Sequence, residues 1–190
     1  MSADGASSCV VDNLFPADAI AWLNAYASRA GAEAGGIVQS DASHKIARDV
    51  RRSEVVWLPN TGEAQAIYGL VAELVNHINK EVFRFELEGL TEPFQLATYR
   101  AEAGGFYGWH VDTGAGRLAR RKLSLIVPLT DPGEYEGGEF QVFHDSEPTP
   151  IAMPLGRVVA FPSYLLHSVS PLTRGVRRSL AVWASGPPFR

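Results

Sequence analysis

One cysteine, Cys9, stands in 190 residues. A lone thiol closes no internal disulfide and supplies no thiolate cage for zinc, so disulfide-scaffold and zinc-finger classes are excluded. Positive charge is also short: 17 Lys and Arg face 21 Asp and Glu, a net charge of −4. That balance gives no basic footprint for nucleic acid or an anionic membrane, and neither partner is expected. No window approaches the roughly 20 continuous apolar residues that a membrane-crossing helix needs. Residues 1–8 are small and polar, with no cationic start and no apolar run, so no secretory leader is read there and a cytoplasmic location is expected. Internal repeats, low-complexity tracts and long like-charge blocks are absent, and the 18 Gly and 12 Pro are scattered as turn punctuation. Residues 1–190 therefore read as one domain, with residues 1–10 flexible.

What is present divides by periodicity. From Asn13 or Pro16 through Arg29, Ala19, Ile20, Leu23 and Tyr26 recur at helical spacing before Gly31 stops the run. A second helix is expected from Thr61, as its cap, to about Val82, with Ile67, Leu70, Val71, Leu74, Val75 and Ile78 on one stripe. SEVVWL, between the two, reads as a strand. From Phe94 the pattern becomes FQLATYRA, GFYGWHV, KLSLIVPL, GEFQVFH, RVVAF, HSVS and RRSLAVWA, short β runs bounded by turn residues. Such a series builds a sandwich or jelly roll over about 94–185, with the helices covering one outer sheet face. The expected class is α+β, mainly β: a double-stranded β-helix with N-terminal helices packed on one sheet. A β-sandwich binding module without catalysis shares this pattern.

The chemistry concentrates at three side chains. His110 and Asp112 in YGWHVD are two apart, so in an extended strand both project to one face. His167 lies after a further strand, and distant strands can face one another across a jelly-roll mouth. Two imidazoles and one carboxylate make the facial set used by non-haem Fe(II) oxygenases, which leaves three positions on an octahedral ion open. Ten residues past His167 stands Arg177, then Arg178 and Ser179. An arginine fork suits bidentate carboxylate binding, and Ser179 faces the same side two positions on. The same Arg-Arg-Ser run would also serve as a solvated strand edge.

His110-x-Asp112, His167 and Arg177 at this spacing resemble the 2-oxoglutarate- and Fe(II)-dependent dioxygenases, in particular the bacterial prolyl 4-hydroxylase-like group. So do ATYRAEAGGFYGWHVD, KLSLIVPL, YEGGEFQVF and GRVVAFPSYLLHSVSPLTRGVRRSLAVW, a resemblance covering about residues 50–185 and strongest after Tyr99. It implies that His110, Asp112 and His167 ligate Fe(II), and that Arg177 pairs with the distal carboxylate of 2-oxoglutarate, with Tyr99 and Ser179 beside it. The implied reaction couples oxidative decarboxylation of 2-oxoglutarate by O2, giving succinate, to hydroxylation of a C–H bond, with ascorbate as a reductant. The target would be a small molecule, a free amino acid, or a peptide or protein, including a prolyl residue; oligomeric state stays open. Many prolyl hydroxylases of the group carry lysine where this chain has Arg177, so the cosubstrate is better specified than the target. A cupin-like metal-binding jelly roll is the competing metal reading, but such sites collect more histidines, and Arg177 has no task in them.

Other candidates rank lower. Tyr107 and Tyr164, each three residues before a proposed histidine ligand, are candidates for the substrate pocket. His144-Asp145 points to opposite faces if extended, His77 is expected at a core edge and His44 in a loop; Trp57, Trp109 and Trp183 read first as packing residues. Arg117 to Lys122 reads as a solvated loop, with a gate for acidic substrates as its alternative, and Arg51 and Arg52 as surface, with a substrate-carboxylate anchor as theirs.

Overall fold

Every residue of the strand Arg121–Pro128 is buried. A strand with both faces covered sends alternate side chains into two different cores. Leu123, Leu125 and Val127 enter a core shared with the helices α1 (Ala17–Arg29) and α2 (Ala64–Ile78), whereas Ile126 enters a second core. The parity repeats in Phe94–Arg100, where Phe94 and Leu96 oppose Ala97 and Tyr99. It repeats again in Val158–Pro162 and in Val176–Ser185, where Leu180 and Val182 oppose Ala181 and Trp183. The computed structural model describes residues 2–4, 8–38, 44–45, 47–144 and 146–189.

These four strands form the middle of an eight-stranded sheet, in the antiparallel order 158–162, 121–128, 176–185, 94–100. Facing it is a smaller sheet of five strands in the order Glu147–Ile151, Phe140–His144, His167–Val169, Phe106–His110, Arg51–Arg52. Phe140, Val142 and Val169 close the second core from the small-sheet side. The result is the expected jelly roll, and both helices lie on the outer face of the large sheet. On α2, Ile67, Val71, Leu74, Val75 and Ile78 are buried at spacings of three and four; each fully buried aliphatic contributes roughly 1.5–3 kcal/mol. Tyr68 stacks on Phe94 at 3.7 Å and gives its hydroxyl proton to the Leu58 carbonyl.

Several local expectations are corrected. Thr61 is not a side-chain cap: α2 begins at Ala64, whose amide donates to the Thr61 carbonyl. Past Ile78 the chain continues as a π-helical turn, Asn79–Phe83. Asn79 closes it by exchanging two 2.9 Å side-chain bonds with the Phe85 backbone. The flexibility expected of residues 1–10 does not extend to Ser8–Val10: Ser8–Val11 is a strand paired with Val158–Pro162, and Cys9 is fully buried. The strand Glu147–Ile151 is not among the β runs read from the sequence; it carries Pro148 and Pro150 and lies at a sheet edge, where proline is tolerated. The solvated-loop expectation for 117–122 holds at Arg117 and Arg120, which are exposed, and fails at Arg121 and Lys122. Residues 116–120 form a short 3-10 turn, and Arg121 and Lys122 open a fully buried strand. No helix among the described residues is long and apolar enough to cross a membrane.

Candidate metal centre and anion pocket

His110 ends the strand Phe106–His110, and His167 begins the strand paired with it, so the two are direct cross-strand partners. Asp112 lies beyond the strand end rather than within it. Its amide donates to the Ser163 carbonyl at 2.9 Å, which takes it from the small sheet toward the segment following Val158–Pro162. The carboxylate then lies 3.9 Å from His110 Nε2 through Oδ1 and 3.7 Å from His167 Nε2 through Oδ2. One ligand atom from each residue falls within 4.8 Å of the others, a group able to hold a metal ion.

The surroundings prepare that donor set. His110 Nδ1 donates to the Gly108 carbonyl at 2.8 Å and His167 Nδ1 to the Leu165 carbonyl at 2.9 Å. A carbonyl only accepts, so each Nδ1 carries a proton and Nε2 is the ring atom turned toward Asp112. Burial, then the neighbouring His167, push the His110 pKa down to about 3, leaving the ring neutral at physiological pH. Burial raises the Asp112 pKa, but His167, His110, Arg121 and a 2.7 Å bond from Ser124 Oγ together hold it below the ordinary carboxylate range. Two imidazole nitrogens and one carboxylate oxygen suit a divalent first-row metal.

Arg177 and Tyr99 pair across the large sheet and both face the inner core side. Arg177 is 2% exposed; its Nη1 reaches Ser179 Oγ at 3.4 Å, and its Nη2 is buried with no partner. A buried guanidinium with a free prong is costly unless an anion fills the gap. Its room depends on Gly138 at φ 61°, where a Cβ would stand 3.1 Å from Arg177 Cδ and 2.5 Å from Leu172 Cδ1. Arg178, one position along, points to the helix side. It donates to Thr98 Oγ1 at 3.1 Å and to Asn24 Oδ1 at 2.9 Å, tying α1 to the sheet.

Of the two tyrosines, Tyr107 stacks on His110 with ring centroids 3.5 Å apart and planes 12° from parallel. Burial raises its phenol to about 12 against the pull of Arg51, so it remains a hydroxyl donor. Tyr164 is 52% exposed and meets Phe189 edge-on. Trp109 is not a core residue: it faces away from the triad and is 41% exposed, edge-on to Phe143. His77 is exposed as well. Asp145 and the His44 side chain lie outside the described residues. The surface expectation fails for Arg51, which is 4% exposed, and holds for Arg52. Sequence reasoning passed over Ser124, Ser163 and Gln95, and read the segment 117–122 as a loop without singling out Arg121. The last is clamped by two 2.6 Å bonds to Glu92 and lies over the Trp183 ring at 3.6 Å. Trp183 is core as expected, with Trp57 partly buried beside it.

Residues 94–185 match the family model of the 2OG-Fe(II) oxygenase superfamily. A PKHD-type hydroxylase from Synechococcus sp. (strain CC9902) is 42% identical over 86 residues, 44% of this chain and 38% of that protein. One from Bordetella pertussis is 36% identical over 90 residues, 44% of this chain and 40% of that protein. The chain thus spans about two fifths of the length of these curated relatives. Among solved structures, a Pseudomonas putida prolyl-4-hydroxylase aligns with a TM-score of 0.74 at 23% identity, covering 95% of this chain and 93% of that one. A Trichoplax adhaerens prolyl hydroxylase, solved with a hypoxia inducible factor peptide, aligns with a TM-score of 0.75 at 17% identity over 95% and 84%. These likenesses show a shared fold.

Proposed function

From the match of residues 94–185 to the family model of the 2OG-Fe(II) oxygenase superfamily and the geometry of the site, we propose that this chain belongs to that superfamily and hydroxylates a C–H bond of a peptide or amino-acid substrate, using Fe(II), 2-oxoglutarate and O2. His110, Asp112 and His167 hold the iron. Arg177, with Tyr99 and Ser179, holds the distal carboxylate of 2-oxoglutarate. Iron so bound supplies the oxidative decarboxylation of 2-oxoglutarate to succinate and the coupled oxygen transfer, with ascorbate keeping it reduced. The chain's own work is orientation and exclusion of water. The Gly108 and Leu165 carbonyls fix both imidazole tautomers, Ser124 fixes Asp112, and Tyr107 borders the space above His110 where a substrate would lie.

The observation that carries this reading is the unpartnered Nη2 of Arg177, buried on the same inner surface as the triad. A metal-only jelly roll gives that cation nothing to do. The prolyl hydroxylases among the structural neighbours support a prolyl residue as the target; Arg177 in place of lysine leaves a free amino acid as the second choice. A net charge of −4 speaks against nucleic acid as substrate, and a buried lone Cys9 fits a reducing cytoplasm. We read the whole chain as one oxygenase domain. The direct test is anaerobic titration with Fe(II) and 2-oxoglutarate, watching for the visible metal-to-ligand charge-transfer band of the chelate. Succinate release should then accompany a product one oxygen heavier when proline-containing peptides and free amino acids are supplied. No band with both components present would remove the proposal.

A further inference from the structure

Arg51 is a buried cation with every nitrogen engaged. Nε donates to Ser53 Oγ at 2.7 Å, Nη1 to the Gly36 carbonyl at 3.3 Å, and Nη2 to Gln95 Oε1 at 2.8 Å. Gln95 belongs to the large sheet and Arg51 to the edge of the small one, so this fork joins the two. The approach is tight: a Cβ on Gly35 would fall 2.3 Å from Ser53 Oγ and 2.8 Å from Arg51 Nε. A guanidinium this committed has little left to offer a substrate.

What it touches is Tyr107, its cross-strand partner, whose ring centroid is 4.5 Å from the guanidinium carbon. A ring covered at 3.5 Å by the parallel His110 imidazole has room for a guanidinium on its other face only. Tyr107 is therefore held between Arg51 and His110, presenting an electron-rich face to each. His110 needs that support. Its single Nδ1 bond to Gly108 sets the tautomer but leaves the ring free to tilt about the bond, and tilt moves Nε2 away from the point shared with Asp112 and His167.

We propose that Arg51 is a positioning residue of the metal site: pinned by Ser53, Gly36 and Gln95, it clamps Tyr107 against His110 and thereby fixes the direction of His110 Nε2. This rests on the iron-site reading above. Charge and position predict opposite signs. As a cation, Arg51 repels a divalent metal, so its neutralisation by itself strengthens binding; as a clamp, its loss weakens binding.

The experiment is anaerobic titration of the full chain with Co(II), without 2-oxoglutarate, read by calorimetry and by the visible ligand-field bands, which report ligand geometry. Arg51→Met and Tyr107→Ala should each weaken Co(II) binding by about tenfold or more, the range seen when groups orienting a ligand are removed, and should change the band shape. Tyr107→Phe, which keeps the ring, should match the parent. The double variant Arg51→Met/Tyr107→Ala should be no weaker than either single one, because both act through one contact. Co(II) bound by Arg51→Met as tightly as by the parent, with unaltered bands, would overturn the proposal, as would additive losses in the double variant. If circular dichroism shows that Arg51→Met fails to fold, Gln95→Leu removes one tether only and should shift the bands in the same sense; unshifted bands there count against the clamp. A parent chain that takes up no Co(II) refutes the iron-site reading itself, and this inference with it.

Discussion

Replacing Arg177 by methionine keeps much of the side-chain volume and removes the charge, and the structure gives two opposed consequences. Without cosubstrate, Arg177 is a 2% exposed cation whose Nη2 has no partner and whose Nη1 has one long bond. Deleting such a charge is neutral or stabilising, so the ligand-free variant should melt at the parent's temperature or above it. With cosubstrate, truncating one partner of a buried charge pair costs roughly 2 to 5 kcal/mol, about 30-fold or more in affinity. At a 2-oxoglutarate concentration 100 times the parent's Kd, binding adds about 2.7 kcal/mol of stability. A 30-fold weaker variant at the same concentration retains about 0.9 kcal/mol by the same relation. For a chain of this length each kcal/mol moves Tm by about 2–4 °C, so a ligand shift of about 5–11 °C should shrink to about 2–4 °C. Differential scanning fluorimetry with Mn(II) as an inert metal reads both numbers. Arg177→Lys should fall between, keeping the charge and losing the fork. A ligand shift unchanged in Arg177→Met, with Arg178→Met affected instead, would show the carboxylate to be bound elsewhere.

His110→Ala, Asp112→Ala and His167→Ala should each abolish stoichiometric iron by plasma mass spectrometry while leaving the circular dichroism intact; Asp112→Glu should retain some metal but lose on the order of 10²-fold in turnover, since it moves the oxygen by about 1 Å. Ser124→Ala, which strips a 2.7 Å bond from Asp112, should weaken the metal by about 10- to 100-fold, checked by competition with a chromogenic chelator. Arg178→Ala should leave 2-oxoglutarate affinity unchanged yet lower the urea midpoint by the equivalent of about 1–3 kcal/mol, because Thr98 and Asn24 lose a charged donor. For pH, His110 is held down to about 3 in the folded chain against 6.5 ordinarily. Between those values the unfolded state binds the extra proton, so the metal-free protein should lose stability as pH falls below about 6.5. Urea midpoints at about pH 7 and pH 5 read the slope, and flat or rising stability on acidification contradicts it.

The seven β runs were legible because a jelly-roll strand declares itself by period-two alternation between turn residues. Phe94, Leu96, Ala97 and Tyr99 sort into their two cores as the alternation requires. The three candidate ligands were legible for a different reason: few residue types serve as ligands, and the H-x-D spacing gained specificity only together with His167, Arg177 and the family resemblance. Polar residues that serve the site from within were not legible. Arg51, Gln95, Ser124 and Ser163 are all buried, yet nothing in a one-dimensional pattern separates an inward Arg from a solvated one. Trp109 shows the converse. Its orientation, opposite to His110, was read correctly, but among the described residues that outer face has no covering layer, so a large aromatic lies exposed. Glu147–Ile151 was obscured by prolines whose meaning depends on knowing that the strand lies at an edge.

Those prolines bear on how the protein meets other chains. Phe143 turns its amide toward the 167–169 side, donating to the Leu166 carbonyl, so its opposite number Pro148, and likewise Pro150 opposite Gln141, directs its backbone away from the hairpin. At those two places, where any other residue would hold out an N–H to the solvent, this edge holds out none. A foreign strand arriving there finds carbonyls without the alternating donors it needs to register, and the small sheet cannot be lengthened on that side. An extended chain meeting the protein at this margin therefore cannot be zipped on as a sixth strand.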